Sequence, residues 1–411
     1  MRSSMSTLAT NYKSLPIRIV KGKDIFLWDS NGKKYVDMLA GYSAVNQGHC
    51  HPLIVKQLVK QSRQLTLCSR VVQSDKLYEW SDYITTIFRY DKVLAMNSGA
   101  EAVETSLKLA RKYGRVVASI KRPYIVCLSG NFHGRTLGTV SLSDYESYKN
   151  GFGPFIGDIL TVTMNDARHL QSIFQQYGSS ISAILYEPIQ GEGGIVGMTN
   201  DFINEIKSVK KSYPHVLLMA DEIQCGLGRT GYLTTSEMIH MKPDVLILGK
   251  ALSGGMLPMS CILANDRVMS VFTPGSHGST FGGNPLACAV SIEALKIIQR
   301  ECIPNVNNVK YSMESVKTLK KHNDNIIDIR GTGLFWGVQF KPSYDLDLLR
   351  LKMLKKGYIT CTSRNNTLRL TPPLTISINE IKKSIETLSD CLKTPKLKTP
   401  TEQDFDCVFK Q

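Results

Sequence analysis

The sequence lacks several features that would mark a protein for secretion or for a membrane. No C-x-x-C pair occurs among its 10 cysteines, which excludes a disulfide-dense scaffold and favours a reduced, intracellular chain. The longest apolar runs, such as residues 216–220, are far shorter than the ~20 residues of a membrane span. The first eleven residues contain one arginine and no acid, a weak likeness to a transit peptide. We therefore expect a cytoplasmic location and no membrane association.

A long basic run is also missing, although basic residues are in excess. Lys and Arg number 50 against 35 Asp and Glu, a formal net charge of +15, which suits an anionic partner. Because these residues are scattered and not interleaved with aromatic ones, we expect no nucleic-acid binding. A small anionic ligand fits better.

What the sequence contains is the composition of a folded globular protein, with 42% hydrophobic residues over 411 positions. At ~150 residues per domain, this length predicts two or three units. Apolar runs alternate with helical patterns from about residue 50 to 299, which predicts an α/β fold with a mostly parallel central sheet flanked by helices. The runs are at residues 92–96, 124–128, 181–186, 216–220, 245–248 and 260–263, and the helical patterns at 53–65, 101–113, 199–213 and 285–300.

The flanking regions differ from this central part. Alternating residues between positions 17 and 38 predict two or three strands, and the stretch after 299 reads as a smaller α+β unit with a helix at about 308–320. We therefore predict an N-terminal segment (1–49) that packs with the small domain, a large domain (50–299) and a small C-terminal domain (300–392). The remaining residues (393–411) are predicted to form a basic, flexible tail.

Two neighbouring strands bring an acid and a lysine to one place. One apolar run ends at Asp221, and about thirty residues later a second ends just before Lys250. The carboxyl ends of such strands share the ligand-binding edge of the sheet. A lysine there can lose its proton and attack a carbonyl, and an acid can pair with a pyridinium nitrogen, the combination that binds pyridoxal phosphate. Spacing alone fits a plain ion pair at least as well.

Two other patterns carry little weight. Gly226, Gly228 and Gly231 match G-x-G-x-x-G, but no helix follows and the acid precedes the glycines, so a dinucleotide site is not expected. His49 and His51 flank a cysteine, yet adjacent side chains rarely reach one metal ion and no second cluster has ligand spacing. We expect no metal site.

A phosphate group has a candidate site where a strand meets a helix. Ser98, Gly99 and Ala100 open the helical pattern, and small residues there let backbone N–H groups reach an oxyanion. An ordinary helix cap by Ser98 explains the same residues. Phe132 can stack on a cofactor ring or fill the core, and Arg135 can bind a carboxylate or lie in a solvated loop.

Longer stretches of sequence resemble the class III aminotransferases of fold type I, and among them the branch that acts on ornithine. The resemblance extends from about residue 11 to residue 392. It is carried by residues 42–49, 97–102, 131–137, 187–192, 221–224, 248–252, 277–285 and 369–373.

The resemblance implies pyridoxal 5′-phosphate as the cofactor. Lys250 would bind it covalently and move the proton during transfer, and Asp221 would pair with the pyridine nitrogen. Further implied contacts come from Ser98, Gly99 and Ala100 to the phosphate, Phe132 and Ile223 to the ring faces, Gln224 to the phenolic oxygen, and Thr280 to the phosphate of the neighbouring subunit. The last of these implies a homodimer with shared sites.

The resemblance also implies the substrates L-ornithine, 2-oxoglutarate and L-glutamate. Arg369 would bind the α-carboxylate of glutamate, and Glu192 would neutralise Arg369 when ornithine binds. Arg135 and Tyr12 would then hold the α-carboxylate of ornithine, in a cavity lined by Tyr42. The δ-amino group would move to 2-oxoglutarate, and the glutamate-5-semialdehyde formed would cyclise to pyrroline-5-carboxylate, which links arginine and ornithine breakdown to proline synthesis.

Two alternatives remain open from the sequence. Acetylornithine or 4-aminobutyrate aminotransferases use the same cofactor, and Tyr12 and Tyr42 favour ornithine over both, whereas Glu192 discriminates less. A catalytically silent binding protein of the same fold is disfavoured because the lysine, the acid and both arginines are all present.

Overall fold

A computed structural model describes residues 7–393 of the chain. Within them the strands are β1 (Ile19–Lys23), β2 (Phe26–Asp29), β3 (Lys34–Asp37), β4 (Lys92–Met96), β5 (Tyr124–Leu128), β6 (Ile159–Val162), β7 (Ile181–Tyr186), β8 (Ile189–Gln190), β9 (Val196–Gly197), β10 (Leu217–Asp221), β11 (Val245–Leu248), β12 (Ser260–Ala264), β13 (Ile326–Thr332), β14 (Phe335–Phe340), β15 (Tyr358–Ile359), β16 (Cys361–Ser363) and β17 (Thr367–Leu370).

The helices complete the secondary structure of the same residues. They are α1 (Ala40–Ser43), α2 (Pro52–Ser62), α3 (Asp75–Phe88), α4 (Gly99–Val116), α5 (Leu137–Val140), α6 (Glu146–Lys149), α7 (Ala167–Tyr177), α8 (Asn200–Ser212), α9 (Thr235–Met238), α10 (Asp266–Met269), α11 (Pro285–Ile297), α12 (Ile303–Glu314), α13 (Leu346–Lys355) and α14 (Ile378–Lys393). No helix among residues 7–393 is long and apolar enough to cross a membrane.

A seven-stranded sheet forms the centre of the molecule, in the order β4-β12-β11-β10-β7-β5-β6. Pairing is parallel across β11, β10, β7, β5 and β6, and only β12 runs against its neighbours β11 and β4. The five inner strands are buried on both faces, as expected for a sheet covered by helices on each side, whereas the edge strands β4 and β6 are partly exposed. The predicted α/β fold with a mostly parallel sheet is therefore confirmed, and all six apolar runs form strands of this sheet.

The four helical patterns of the central part are also confirmed, with ends shifted by up to three residues. The chain then departs from the prediction, because α11 continues through one π-turn, Ile298–Cys302, directly into α12. The helix predicted at 308–320 consequently begins earlier, at Ile303, and gives way to a 3₁₀ segment at Ser315. Pro304, the second residue of α12, obscured this continuity in the sequence, since proline usually marks a helix start.

The two ends of the chain meet beside the central sheet. Strands β1, β2 and β3 form a small sheet that β15, from the C-terminal part, completes by pairing parallel to β3. A second small sheet has the order β13-β14-β17-β16 and is antiparallel throughout. One hydrophobic cluster runs from Met38 through Trp80 to Trp336, so these parts share a continuous core. The predicted tail lies outside the described residues except for Lys393.

A buried arginine connects the N-terminal segment, the turn after β10 and the C-terminal part of the chain. Arg229 is 0% exposed, and its Nη1 donates to the carbonyl oxygens of Leu334 at 3.0 Å and Pro372 at 2.5 Å. Its Nη2 donates to the side-chain oxygen of Asn46. Burial lowers the pKa of Arg229 to about 9, so the guanidinium remains charged at neutral pH. The arginine therefore joins the N-terminal segment and the C-terminal part to the turn after β10.

We expect Arg229→Met to destabilise the protein by about 2–4 kcal/mol, because three buried oxygens lose their donor while the cost of burying the charge is removed. The measurement is urea unfolding followed by fluorescence. Arg122→Met is the control, since that side chain is 70% exposed. A change below ~0.5 kcal/mol, the size typical of a surface substitution, would show that the arginine does not hold the parts together.

Candidate active site

Asp221 and Lys250 meet at the carboxyl edge of the central sheet, as the sequence predicted. Asp221 is the last residue of β10, and it pairs with Ile247 of the adjacent parallel strand β11. The chain leaves β11 through Gly249 and places Lys250 at the start of a 3₁₀ turn with a φ of +46°. Both side chains line one cavity of about 190 Å³. Adjacent parallel strands therefore deliver the acid and the amine to one place.

Asp221 is fixed by hydrogen bonds at both carboxylate oxygens. Its Oδ2 lies 2.7 Å from His133 Nδ1, and its Oδ1 accepts the N–H of Ile223 at 3.1 Å. Burial acts to lower the pKa of His133, but the hydrogen bond and the charge of Asp221 outweigh it, so that the pKa is raised. Asp221 itself is 4% exposed. An acid held in this way keeps its orientation toward the cavity.

Lys250 is the free amine of the cavity. Burial lowers the pKa of its ammonium, against the opposing charges of Asp221 and Glu192. Among residues 7–393, no hydrogen bond or ion pair engages Lys250 Nζ. Burial and the lack of a bonding partner among the described residues both favour a neutral amine that can react with a carbonyl group.

The second acid of this turn faces away from the cavity. Glu222 is fully buried and accepts the N–H groups of Thr235 at 2.5 Å and Ser236 at 2.7 Å. Burial raises the pKa of Glu222 to about 7, although these hydrogen bonds lower it. Glu222 therefore caps α9, and Asp221 is the acid of the site.

A helix N-terminus opens onto the same cavity. Ser98 caps α4 in a capping box with Glu101, so its hydroxyl is already occupied by the N–H of Glu101 at 3.1 Å. In the described structure the N–H groups of Gly99 and Ala100 carry no hydrogen bond. A Cβ on Gly99 would lie 3.0 Å from Ile223 Cδ1, which shows how closely the helix start approaches the turn after β10. Ser98 therefore caps the helix, and the two N–H groups that follow it are of the kind that can bind an anion.

The residues predicted for the ring faces also line this cavity. Phe132, Ile223 and Gln224 surround it together with Asp221 and Lys250. A second cavity of about 380 Å³ adjoins it and shares Gly99 and Lys250. The lysine therefore stands between a narrow pocket and a wider, more open space.

A buried ion pair lies near the amine. Arg369, on β17, is 1% exposed, and its Nη1 donates to Glu192 Oε1 at 2.5 Å. Its Nη2 lies 3.5 Å from the Cys361 sulfur, and its guanidinium carbon is 5.1 Å from the centre of the Tyr42 ring. Burial raises the pKa of the Tyr42 hydroxyl, as does the neighbouring Cys361. Glu192, Arg369 and Tyr42 are thus brought together.

Three predicted residues stand apart from this group. Arg135 is exposed and rests on the Tyr148 ring, with its guanidinium carbon 3.6 Å from the ring centre. Tyr12 is 78% exposed, and no contact with Arg135 is present in the described residues. Thr280 is exposed and lines a cleft of about 1170 Å³ that Lys250 does not reach. The single chain therefore does not bring Arg135 and Tyr12 together, and their joint binding of the ornithine α-carboxylate stays a prediction.

Sequence reasoning gave no role to two residues that shape the site. His133 lies inside the motif at residues 131–137, between Phe132 and Arg135, but the sequence assigned a role only to its neighbours. Glu187 is 5% exposed, has its pKa raised by burial, and accepts the N–H of Phe132 at 3.0 Å. Its position at the end of β7, on the same sheet edge as Asp221, was the signal that could have identified it.

The donor set fits pyridoxal 5′-phosphate. Free N–H groups at the start of α4 suit the phosphate, Asp221 suits a pyridinium nitrogen, and the unpaired amine of Lys250 suits the aldehyde. The histidines at 49 and 51 bond to separate acids, Asp37 at 2.8 Å and Glu301 at 3.3 Å, and no group of three metal-ligating side chains occurs among the described residues.

Comparison with known proteins agrees with this geometry. Residues 7–392 match the family Aminotransferase class-III. Ornithine aminotransferase 1 of Staphylococcus saprophyticus is 42% identical over 390 residues, covering 93% of this chain and 96% of that one. The crystal structure of the ornithine aminotransferase from Toxoplasma gondii superposes with a TM-score of 0.90 at 35% identity, covering 94% and 92%.

An acetylornithine aminotransferase from Elizabethkingia anophelis superposes with a TM-score of 0.83 at 37% identity, covering 93% of this chain and 95% of that one. Pyridoxal 5′-phosphate is the cofactor of this group, and it occupies part of the active sites in a second Toxoplasma gondii structure. The chain belongs to the class-III aminotransferase family and has the fold type I architecture of these enzymes.

Proposed function

We propose that the protein is an ornithine aminotransferase. It transfers the δ-amino group of L-ornithine to 2-oxoglutarate and forms glutamate-5-semialdehyde and L-glutamate. The observation that carries this proposal is the ion pair between Glu192 and the buried Arg369, because ornithine must be accepted with its α-carboxylate away from that arginine. The relatives named above that act on ornithine match almost the whole chain.

Lys250 performs the proton transfer in this proposal. When bound here, the cofactor supplies an aldehyde to receive the amino group and a pyridinium ring that withdraws electrons. The lowered pKa of Lys250 would allow its amine to accept a proton from the substrate carbon. Asp221, which is held by His133, would pair with the pyridine nitrogen of the cofactor, and Phe132 and Ile223 would contact its ring.

Arg369 and Glu192 select the end of the substrate that reacts. The α-amine of glutamate reacts only if its α-carboxylate is near Lys250, and Arg369 binds that carboxylate in place of Glu192. With ornithine, Glu192 retains Arg369, so the α-carboxylate lies at Arg135 and the δ-amine faces Lys250. The glutamate-bound and ornithine-bound states thus differ in which carboxylate pairs with the Arg369 guanidinium, that of the substrate or that of Glu192.

A homodimer with shared sites belongs to the same proposal. Thr280 lies in the large open cleft and away from the cavity of its own Lys250, so a second chain is needed to bring such a residue to the phosphate. Tyr12, which is mostly exposed, would likewise be ordered by closure or by a partner. The cysteines of the described chain are free thiols, which supports a reducing compartment such as the cytoplasm.

Acetylornithine transamination is the second candidate. The acetylornithine aminotransferase from Elizabethkingia anophelis favours it, since that enzyme superposes on almost the whole chain. Product analysis after incubation with ornithine and 2-oxoglutarate separates the two. Pyrroline-5-carboxylate is expected, and turnover of N-acetylornithine alone would replace the proposal with this candidate.

We expect Glu192→Ala to change which amine of ornithine reacts. An unmasked Arg369 will bind the α-carboxylate, so the ratio of α- to δ-transamination should rise by roughly 10-fold or more, the effect of a hydrogen bond to a charged group. The two products and their cyclised forms are isomers of equal mass, so proton NMR of the product mixture measures the ratio. Glu192→Gln keeps the shape without the charge and should show the same trend, and unaltered ratios in both variants would refute the role of Glu192.

We expect Arg369→Lys to weaken the glutamate half-reaction more than the ornithine half-reaction. A lysine keeps the charge but cannot form the bidentate pair, so kcat/KM for glutamate should fall roughly 10- to 100-fold further than for ornithine. Stopped-flow absorbance of each half-reaction gives both values. Equal losses would contradict the exchange of carboxylates.

We expect Lys250→Ala to abolish measurable turnover. A positioned acid–base group contributes roughly 10²–10⁴-fold to the rate, and kcat should fall by at least that factor. Cofactor should still bind without a covalent bond, because its phosphate, nitrogen and ring contacts come from other residues. Borohydride treatment followed by mass spectrometry should label the wild type at Lys250 and leave the variant unlabelled. A variant with normal turnover would exclude Lys250 as the reactive amine.

A further inference from the structure

A third arginine, Arg364, lies between the two that the proposed function uses. It occupies the turn that joins β16 to β17, where Asn365 and Asn366 adopt positive φ angles of 58° and 49°. Its backbone N–H donates to the carbonyl oxygen of Glu192 at 3.0 Å. The turn is therefore attached to the residue that pairs with Arg369.

The Arg364 side chain points toward the aromatic residues beneath Arg135. Its guanidinium carbon lies 4.4 Å from the ring centre of Tyr145 and 4.7 Å from that of Tyr148. Arg135 rests on the same Tyr148 ring at 3.6 Å. Two guanidinium groups therefore share one tyrosine ring.

The Arg364 guanidinium is buried, and some of its N–H groups have no hydrogen-bond partner among the described residues. The side chain is 8% exposed, and its one ion pair in the described structure is a loose contact of 3.7 Å between Nη1 and Asp144 Oδ1. The other carboxylate oxygen of Asp144 accepts the N–H of Gly130 at 2.9 Å. Nε and Nη2 of Arg364 are buried and have no hydrogen-bond partner. Such donors favour an acceptor from a ligand, since a buried donor without a partner is unfavourable.

We propose that Arg364 and Arg135 together bind the substrate carboxylate that is farther from the reacting amine. This carboxylate is the α-carboxylate of ornithine and the γ-carboxylate of 2-oxoglutarate, so the inference rests on the proposed function. The free N–H groups of Arg364 supply hydrogen-bond donors for a carboxylate, and no carboxylate of the described residues lies within ion-pair distance of Arg135. Arg364 is thus a specificity residue for substrates that carry a carboxylate at the distal end.

The first test compares Arg364→Met with the wild type at steady state. KM for ornithine and for 2-oxoglutarate should each rise 10- to 100-fold, with kcat changed less than about threefold, because ground-state and transition-state binding lose the same contact. A fall in kcat at unchanged KM, or no change in either, would overturn the proposal. Arg364→Lys covers a folding failure of the first variant, and it should raise KM by a smaller factor, since the charge is kept and the planar fork lost.

The second test uses 1,4-diaminobutane, which is ornithine without its carboxylate. Its half-saturating concentration, read as a substrate or as a competitive inhibitor, should be the same for the wild type and Arg364→Met. Equal weakening for diamine and ornithine would mean that Arg364 only supports the tyrosines, which contradicts the proposal.

Arg122 gives the matched control, because it also lies on a tyrosine, Tyr124 at 5.6 Å, and pairs with an aspartate, Asp158 at 2.5 Å. It precedes β5 at the opposite end of the sheet, so Arg122→Met should leave both ligands unaffected. Wild-type enzyme that forms no pyrroline-5-carboxylate from ornithine would overturn the proposed function, and this inference with it. Wild-type activity with an unchanged KM in the Arg364 variants would overturn the inference alone.

Discussion

The part of the site proposed to bind substrate depends on Arg369, a buried cation that needs an anion. Arg369 is almost completely enclosed, and leaving such a charge unpaired is strongly unfavourable. Glu192 satisfies it from the turn between β8 and β9, whereas Arg369 itself belongs to a strand of the C-terminal sheet. The pair therefore spans the large and the C-terminal parts of the chain. In the proposed function, a substrate carboxylate replaces Glu192 by offering Arg369 an equivalent partner.

The positions of Asp221 and Lys250 follow from the order of strands in the central sheet. Because β10 and β11 are adjacent and parallel, Asp221 and Lys250 emerge at the same edge, although 28 residues separate them in sequence. The helix start at Gly99 lines the same cavity, and the N–H groups of Gly99 and Ala100 carry no hydrogen bond in the described structure. Burial then lowers the pKa of Lys250, and His133 fixes Asp221. The fold thus sets both the positions and the charge states that amino-group transfer requires.

The sequence predicted the parts of the molecule that local patterns determine. Buried parallel strands are continuous apolar runs, so the sheet and the residues at its edge were found, down to Asp221 and Lys250. Contacts between distant segments were not accessible. The partners of Arg229 come from three regions, the π-turn joins two helices across Pro304, and Arg364 reaches Tyr148 only through the hairpin turn. Tyr12 and Thr280 were expected in the site from the resemblance alone, and in the described chain Tyr12 is mostly exposed and Thr280 lines a different cleft from Lys250.

A single-turnover absorbance scan tests the central claim most directly. The purified holoenzyme is mixed separately with L-ornithine, N-acetylornithine and 4-aminobutyrate, and the cofactor band near ~420 nm, where a protein-bound pyridoxal phosphate absorbs, is followed. The account predicts that ornithine bleaches the band fastest and that adding 2-oxoglutarate restores it as pyrroline-5-carboxylate accumulates. Bleaching by N-acetylornithine or 4-aminobutyrate without a response to ornithine would contradict the account.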